Sequence, residues 1–440
     1  MTAMTPLDAW TATRLGLPGK RLDRQILENY QLDKLSATVR FAVANSPFYR
    51  KHLGQSAAAG IRTLGDLTSL PFATATDLRS WGAQMLCVSQ SRINRVVTLD
   101  TSGTLGEPKR LWFTADDQSL TVDFFQAGMS TLTRPGDRVL ILLPGRRPGS
   151  VGDLLAQALA RLGAASLPYG WVTDLAAAAR FMRQSRADSV VGSPVQVLAL
   201  ARYTTGRVDL AEFPRTVLLS TDYAPGALIR EVERLWGCRV FDHYGMTEMG
   251  LGGGVECEAH SGYHLREADL LFEVVDPNTG ERQPDGCEGE VVFSTLTRRG
   301  MPLIRYRTGD LSRILPEPCA CGSSLKRLDR LGGRLDSILR LPTDGTLRLS
   351  EIAEGVFAVP GTIDYTATVA VDGHRVKLAV SVLTLGGRSS MWETVEAELE
   401  RIETVRNARA AGCLELRADS RECDDGVLPV SGKRLFRKVT

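Results

Sequence analysis

No apolar run in this chain is long enough to cross a bilayer. The most apolar short stretch is Val139-Leu-Ile-Leu-Leu143, against the roughly 20 residues that a membrane helix needs. It reads instead as a central strand covered on both faces. A charge bias is missing too: 53 basic and 51 acidic residues leave a formal net charge of +2. That balance gives no global reason to expect nucleic acid as a partner. Internal repeats and low-complexity segments are absent. Met1 to Trp10 lacks the basic segment and apolar core of a secretory signal, so the expected location is cytoplasmic. There, the eight cysteines read as thiols or metal ligands rather than disulfides. The chain also lacks the G-x-x-x-x-G-K-[ST] spacing of the common nucleotide-hydrolase loop.

What is present is an ordinary soluble composition, 43% hydrophobic and 24% charged over 440 residues, long enough for two or three domains. Helical patterning over 21–53 ends near Asn45-Ser-Pro, where proline stops a helix. From about 93 to 250, strand-like runs alternate with helix-like ones. Val139–Leu143 precedes 151–162, Ser189–Val191 precedes 194–203, Thr216–Ser220 precedes 225–236, and Arg239–Phe241 follows. That alternation predicts a mostly parallel sheet with helices on both faces. Between 270 and 340 the short strands Leu271–Val275, Gly289–Ser294 and Leu311–Leu315 are separated by turn residues, which predicts a small β-rich subdomain. Ile363–Val371 and His374–Val382 alternate around Asp372-Gly373, a hairpin signal. Helical patterning over 390–406 and a strand at 413–417 complete a compact α+β unit. The expected fold class is therefore α/β. A large domain, 1–335, contains a β-rich subdomain at about 255–333, and a small α+β C-terminal lid covers 336–440.

The run Thr101-Ser-Gly-Thr-Leu-Gly-Glu-Pro-Lys109 packs two glycines, three hydroxyls and a lysine into nine residues. Glycines let successive N–H groups point into one concavity, hydroxyls add donors, and lysine adds a mobile charge suited to phosphate. Further along stand Asp242-His-Tyr-Gly-Met-Thr-Glu248, Arg305-Tyr-Arg-Thr-Gly-Asp310, Gly332-Gly-Arg-Leu-Asp336 and Ser431-Gly-Lys433. In that order the blocks resemble those of the adenylate-forming, acyl-CoA synthetase superfamily. Asn45-Ser-Pro-Phe-Tyr49, Leu70-Pro-Phe72, Asp77-Leu-Arg79 and Met301-Pro-Leu-Ile-Arg-Tyr306 resemble its phenylacetate–CoA ligase-like branch.

The resemblance implies an ATP-dependent acid–thiol ligase that forms an acyl-adenylate and passes the acyl group to coenzyme A. The default substrate is an aromatic or arylacetic acid. It further implies that Thr101, Ser102, Gly103, Thr104, Gly106 and Lys109 hold the β- and γ-phosphates of ATP. Thr247 contacts the α-phosphate, and Glu248 binds Mg2+ through a carboxylate oxygen, the ligand type that ion prefers. Asp310 accepts from the ribose hydroxyls with Arg334 assisting, while Asp222, Asp242, Tyr244, Gly245 and Met246 line the nucleotide site. Lys433 bridges the acid carboxylate and the α-phosphate as charge builds. Each residue also has a plain structural alternative: Glu248 a helix-start acid, Asp310 a turn residue after Gly309, Arg334 and Lys433 solvated surface charges. Five blocks in family order favour the functional reading.

Phe124, Phe125, Tyr244 and Gly252 are candidates for the acyl pocket, with core packing as the alternative. His243 is read as a structural histidine, because a carboxylate substrate is already ionised and needs no base. Cys257, His264, Cys319 and Cys321 form a second constellation. Cys319-Ala-Cys321-Gly is a tight pair, and four soft or borderline ligands describe a structural Zn2+ site. The resemblance places a Cys, a Gly-x-His and a Cys-x-Cys at these positions, with His260 competing with His264. A homodimer is the default assembly.

Two departures stand out. Leu105 replaces the usual threonine of the phosphate loop, and Ser337-Ile-Leu-Arg-Leu-Pro-Thr-Asp-Gly345 replaces the usual hinge sequence, with Pro342 and Gly345 as alternative pivots. The second departure bears on the thioester half-reaction more than on adenylation, and one rival is an adenylating enzyme with another acceptor, such as a carrier protein or cofactor. The other rival is a non-catalytic nucleotide-binding homologue, whose signature is loss of Glu248, Asp310 or Lys433, and none is missing.

Overall fold

The computed structural model describes residues 4–58, 60–99, 108–207, 213–385, 391–423, 426–428 and 434–438. It packs as two units, each assembled from separated segments. One comprises Met1–Thr131, Asp153–Leu162 and His243–Arg330; the other comprises Leu132–Gly152, Gly163–Asp242 and Leu331–Thr440. Among the described residues no helix is long and apolar enough to cross a membrane.

The second unit carries the expected parallel sheet. Its strands run in the spatial order Ala165–Pro168, Arg138–Leu142, Ser189–Gly192, Thr216–Leu219 and Arg239–Tyr244, all parallel. The last strand finishes in the first unit. Helices Leu175–Ser185, Pro194–Thr204 and Gly226–Trp236 alternate with the strands along the chain. Every residue of Ser189–Gly192 and Thr216–Leu219 is buried, which is why these strands read as unbroken apolar runs rather than alternating ones. The C-terminal part of this unit is a four-stranded sheet. Its central hairpin pairs Thr362–Asp372 with Arg375–Thr384, and Leu414–Glu422 and Phe436–Lys438 add in parallel on either side. The hairpin turn is Gly373-His374, with Gly373 at φ +57°. Residues after Asp336 form a second, short hairpin of Ile338–Arg340 and Thr346–Arg348.

In the first unit the helix Arg24–Asn45 is capped at its start by Asp23 and stops before Pro47, which opens the next helix. Leu270–Val275, Gly289–Thr295 and Tyr306–Ser312 form the expected antiparallel ladder. The stretch read as one strand, Leu311–Leu315, is broken at Arg313. Ile314–Leu315 leaves that ladder to pair with Arg327–Leu328, which in turn pairs with Tyr263–Leu265. Alternation of apolar residues cannot reveal a change of partner, because both halves remain extended.

Candidate active site

Asp310 owes its position to a bulge. Glu290 pairs with Leu311 and Val292 with Arg307, so Thr308, Gly309 and Asp310 together face Val291 alone. Gly309 takes φ +76°, a region where it carries no side-chain penalty. The Thr308 hydroxyl donates to Val291 O at 2.7 Å and accepts from Asp310 N at 3.0 Å. Gly309 N donates to Glu290 Oε1 at 3.0 Å. Bulges re-aim side chains beside functional sites, and here the redirected carboxylate accepts from the Tyr244 hydroxyl at 3.0 Å. Asp310 is thus part of a strand, not of a free turn.

Tyr244 ends its strand and opens a loop drawn tight by its own backbone. Gly253 N donates back to Tyr244 O at 2.9 Å, and Leu251 N donates to Met246 O at 2.9 Å. Gly245 has no room for a side chain, since an added Cβ would lie 2.2 Å from Leu251 O. Thr247–Met249 forms one 3-10 turn, and Glu248 within it is buried. Its Oε1 receives Lys109 Nζ at 2.5 Å and the Tyr306 hydroxyl at 3.3 Å. Its backbone oxygen receives Arg298 Nη1 at 2.6 Å. Arg298 is buried over the Phe113 ring, 4.3 Å from its centroid, and burial pushes its pKa down to about 10.

The fold therefore brings Lys109, Tyr244, Glu248 and Asp310 into two hydrogen-bonded clusters joined by the Tyr306–Ser312 strand. Residues 101–107, which include Thr101, Ser102, Gly103, Thr104 and Gly106, lie outside the described residues, as does Lys433. Asp242 is buried within the Arg239–Tyr244 strand, in the part that belongs to the second unit. Asp222 in that unit accepts from Arg434 at 2.8 Å, and Arg334 makes a half-exposed pair with Asp336 at 3.3 Å. Tyr306 and Arg298 received no role from the sequence. Tyr306 lies inside the Arg305–Asp310 block, four residues before Asp310, so its signal was available; Arg298 had none.

Phe124 and Phe125, on the helix Ala115–Met129, place their rings 6.3 and 6.1 Å from the His243 ring. Gly252 closes the same group, its missing Cβ falling 2.4 Å from the Phe124 ring. Tyr244 turns instead toward Asp310. Burial, with a smaller push from Arg266, lowers the His243 pKa to about 4, so the imidazole is neutral at physiological pH.

Cys257, His264, Cys319 and Cys321 converge, every pair of ligand atoms lying within 4.8 Å. Pairing of Val255 and Arg327 with His264 from either side brings the Cys257 turn and the 316–326 loop together. Cys257 Sγ is 3.6 Å from Cys319 Sγ, and Cys321 Sγ is 3.3 Å from His264 Nε2. A tetrahedral zinc with bonds of about 2.3 Å to sulfur and 2.0 Å to nitrogen has edges of about 3.8 and 3.5 Å, so these two edges are close to those that ion needs. Burial pushes the Cys257 thiol up, whereas Cys319, against its own burial, is held low by the Cys321 N–H. His260 stands outside the quartet, its Nδ1 3.3 Å from Glu256 Oε2.

A sequence profile of AMP-binding enzymes matches residues 83–297. A phenylacetate–coenzyme A ligase of Thermus thermophilus is 32% identical over 337 residues, 72% of each chain. One from Aromatoleum evansii is 31% identical over 376 residues, 83% of each chain. The crystal structure of a 2-hydroxyisobutyryl-CoA ligase in its postadenylation state superposes with a TM-score of 0.75 at 22% identity, over 94% of this chain and 89% of that one.

Proposed function

Because the chain belongs to the AMP-binding enzyme family, in its phenylacetate–CoA ligase-like branch, we propose that it activates an aromatic or arylacetic acid with ATP and transfers the acyl group to coenzyme A. The broad class, an AMP-forming acid–CoA ligase, follows from the family; the substrate is our reading. The observation that carries it is the pair of clusters in the first unit, Lys109–Glu248–Tyr306 and Tyr244–Asp310. They set a cation, a buried carboxylate and a redirected aspartate within one folded unit.

In this reading the acid oxygen attacks the α-phosphorus in line and pyrophosphate leaves, so positioning and charge neutralisation do most of the work. Glu248 would hold Mg2+, which when bound neutralises phosphate charge. The Tyr306 hydroxyl and the Arg298 clamp on the backbone fix that carboxylate. Lys109 and the preceding loop would hold the outer phosphates, Asp310 the ribose, and Thr247 the α-phosphate. Lys433, in a C-terminal lid spanning 336–440, would stabilise the charge that develops on the reacting oxygens. Phe124, Phe125 and Gly252, beside a neutral His243, offer apolar surface to an aryl group. Zn2+ held by Cys257, His264, Cys319 and Cys321 would staple the loops of the β-rich subdomain.

The test is pyrophosphate release across a panel of carboxylic acids, with and without coenzyme A. Release that depends on an aryl acid, together with thioester product only when coenzyme A is present, is the expected result. Acid-dependent release with no thioester would favour another acceptor. The short hairpin that stands where relatives have their hinge sequence is the observation behind that second reading.

A further inference from the structure

Arg434 directly follows Lys433 in the chain, and its side chain is enclosed by two carboxylates and two rings. Its Nη1 donates to Asp222 Oδ2 and its Nη2 to Asp364 Oδ1, both at 2.8 Å. Its side chain is 12% exposed, and its guanidinium carbon lies 5.3 and 5.5 Å from the ring centroids of Tyr365 and Phe357. Asp222 belongs to the loop that leaves the carboxyl end of the Thr216–Leu219 strand, and Asp364 to the Thr362–Asp372 strand of the C-terminal sheet.

A second clasp closes on the same loop. Glu354, on the helix Leu349–Ala358, accepts from Gly226 N at 2.6 Å, Ala227 N at 2.9 Å and the Tyr223 hydroxyl at 3.2 Å. It thereby supplies the side-chain cap that Pro225 cannot give the helix Gly226–Trp236. Two charged side chains of the C-terminal segment thus fasten to residues 222–227. In open α/β sheets the carboxyl ends of the strands are where ligands bind. Packing alone does not call for such a device, because a buried ion triad is often no more stable than apolar residues of equal volume. A planar fork reaching two carboxylates does fix orientation.

We propose that Arg434 is a positioning residue for adenylation: by tying the residue directly after Lys433 to Asp222 and Asp364, it restrains the backbone from which that lysine must act. The inference rests on the role given to Lys433 above. It concerns the first half-reaction alone, because a preformed acyl-adenylate no longer needs the lysine between carboxylate and phosphate.

The experiment compares the full-length protein with its Arg434→Gln, Arg434→Lys and Asp364→Asn variants in two assays and one structural measurement. Adenylation is read as acid-dependent pyrophosphate release, and transfer as thioester formation from supplied acyl-adenylate and coenzyme A. Hydrogen exchange of Phe436–Lys438 reports the clasp itself. Arg434→Gln should lower the adenylation kcat by roughly 10²-fold, the scale of a small misplacement of a reacting group, with little change in the KM for ATP. Arg434→Lys, whose point charge cannot fork, and Asp364→Asn, which keeps the Asp222 contact, should each lose about tenfold. Transfer should be unchanged in all three, and Phe436–Lys438 should exchange faster in Arg434→Gln. Equal loss in both half-reactions, or no loss in adenylation, overturns the proposal. If the unmodified protein forms no adenylate from any acid, the functional reading fails on its own. The exchange measurement then decides the clasp, and unchanged protection in Arg434→Gln overturns it.

Discussion

Replacing Arg305 with methionine isolates one buried charge and lets its consequence be worked out from the structure. The Arg305 guanidinium makes a forked contact with Glu273, Nε to Oε2 at 3.2 Å and Nη2 to Oε1 at 3.1 Å. Its Nη1 donates to the backbone oxygens of Thr68 and Leu70 at 3.0 and 2.7 Å, and the group stacks 4.0 Å above the Phe72 ring centroid. The two charged side chains are 3% and 6% exposed. Burial already raises the Glu273 pKa, and Arg305 is the main influence holding it down. Arg305→Met keeps the volume and the apolar contact but strands that carboxylate. Removing one partner of a buried pair costs about 3–5 kcal/mol. Thr68 and Leu70 are among the residues that line a cleft of about 670 Å3, but the Leu70 contact is buried, so its freed oxygen adds to the cost.

The pH dependence has a definite sign. A carboxyl whose folded pKa lies above its unfolded one penalises the folded state when ionised. The deficit should therefore be complete at pH 8 and shrink as pH falls toward the unfolded carboxyl value near 4.3, where Glu273 protonates in both states. Urea unfolding of the single variant and of Arg305→Met/Glu273→Leu, at pH 8 and 5.5, measures this. The double variant should recover at least about 2 kcal/mol of the loss. A single variant within about 1 kcal/mol of the parent at pH 8, or a double variant no more stable than the single, would refute the reasoning.

Three further outcomes are expected. Tyr306→Phe removes a hydrogen bond to a buried carboxylate, usually about 1.5–3 kcal/mol, so the Mg2+ concentration for half-maximal pyrophosphate release should rise about tenfold or more; an unchanged Mg2+ titration counts against Glu248 as the ligand. Cys319→Ser should lower the zinc content found by elemental analysis and the unfolding temperature, and a strong chelator should lower the unfolding temperature of the parent but not of the variant. Gly252→Ala drives a methyl to 2.4 Å from the Phe124 ring. It should raise the KM for the acid while sparing that for ATP, and stability loss of about 1–3 kcal/mol without a KM change would assign the site to core packing instead.

Much of the fold was legible because the periodicities are local. Ser189–Gly192 and Thr216–Leu219 are short, wholly buried and followed at once by helical patterning, and the Asp372–Arg375 turn sits between alternating runs. The convergence of Cys257, Cys319 and Cys321 with a histidine was legible from ligand chemistry, although only strand pairing separates His264 from His260. Other features depend on contacts no window of sequence contains. Nothing near Arg298 announces that it holds the Glu248 backbone, 50 residues away, and the Arg434–Asp222 contact spans 212 residues. The strand break at Arg313 escaped for a different reason, since a change of partner leaves extended backbone extended.

The way the first unit is stitched together matters on the ribosome. Its early helices find their partners late: Arg14 with Asp269, Arg24 with Glu267 and Tyr49 with Pro302 are separated by 255, 243 and 253 residues. At about 5–20 residues per second, the nascent helices Arg24–Asn45 and Pro47–Ala58 wait roughly ten to fifty seconds for the surface that covers them. Slower translation should therefore lengthen the time for which these helices stand uncovered, and with it their exposure to aggregation.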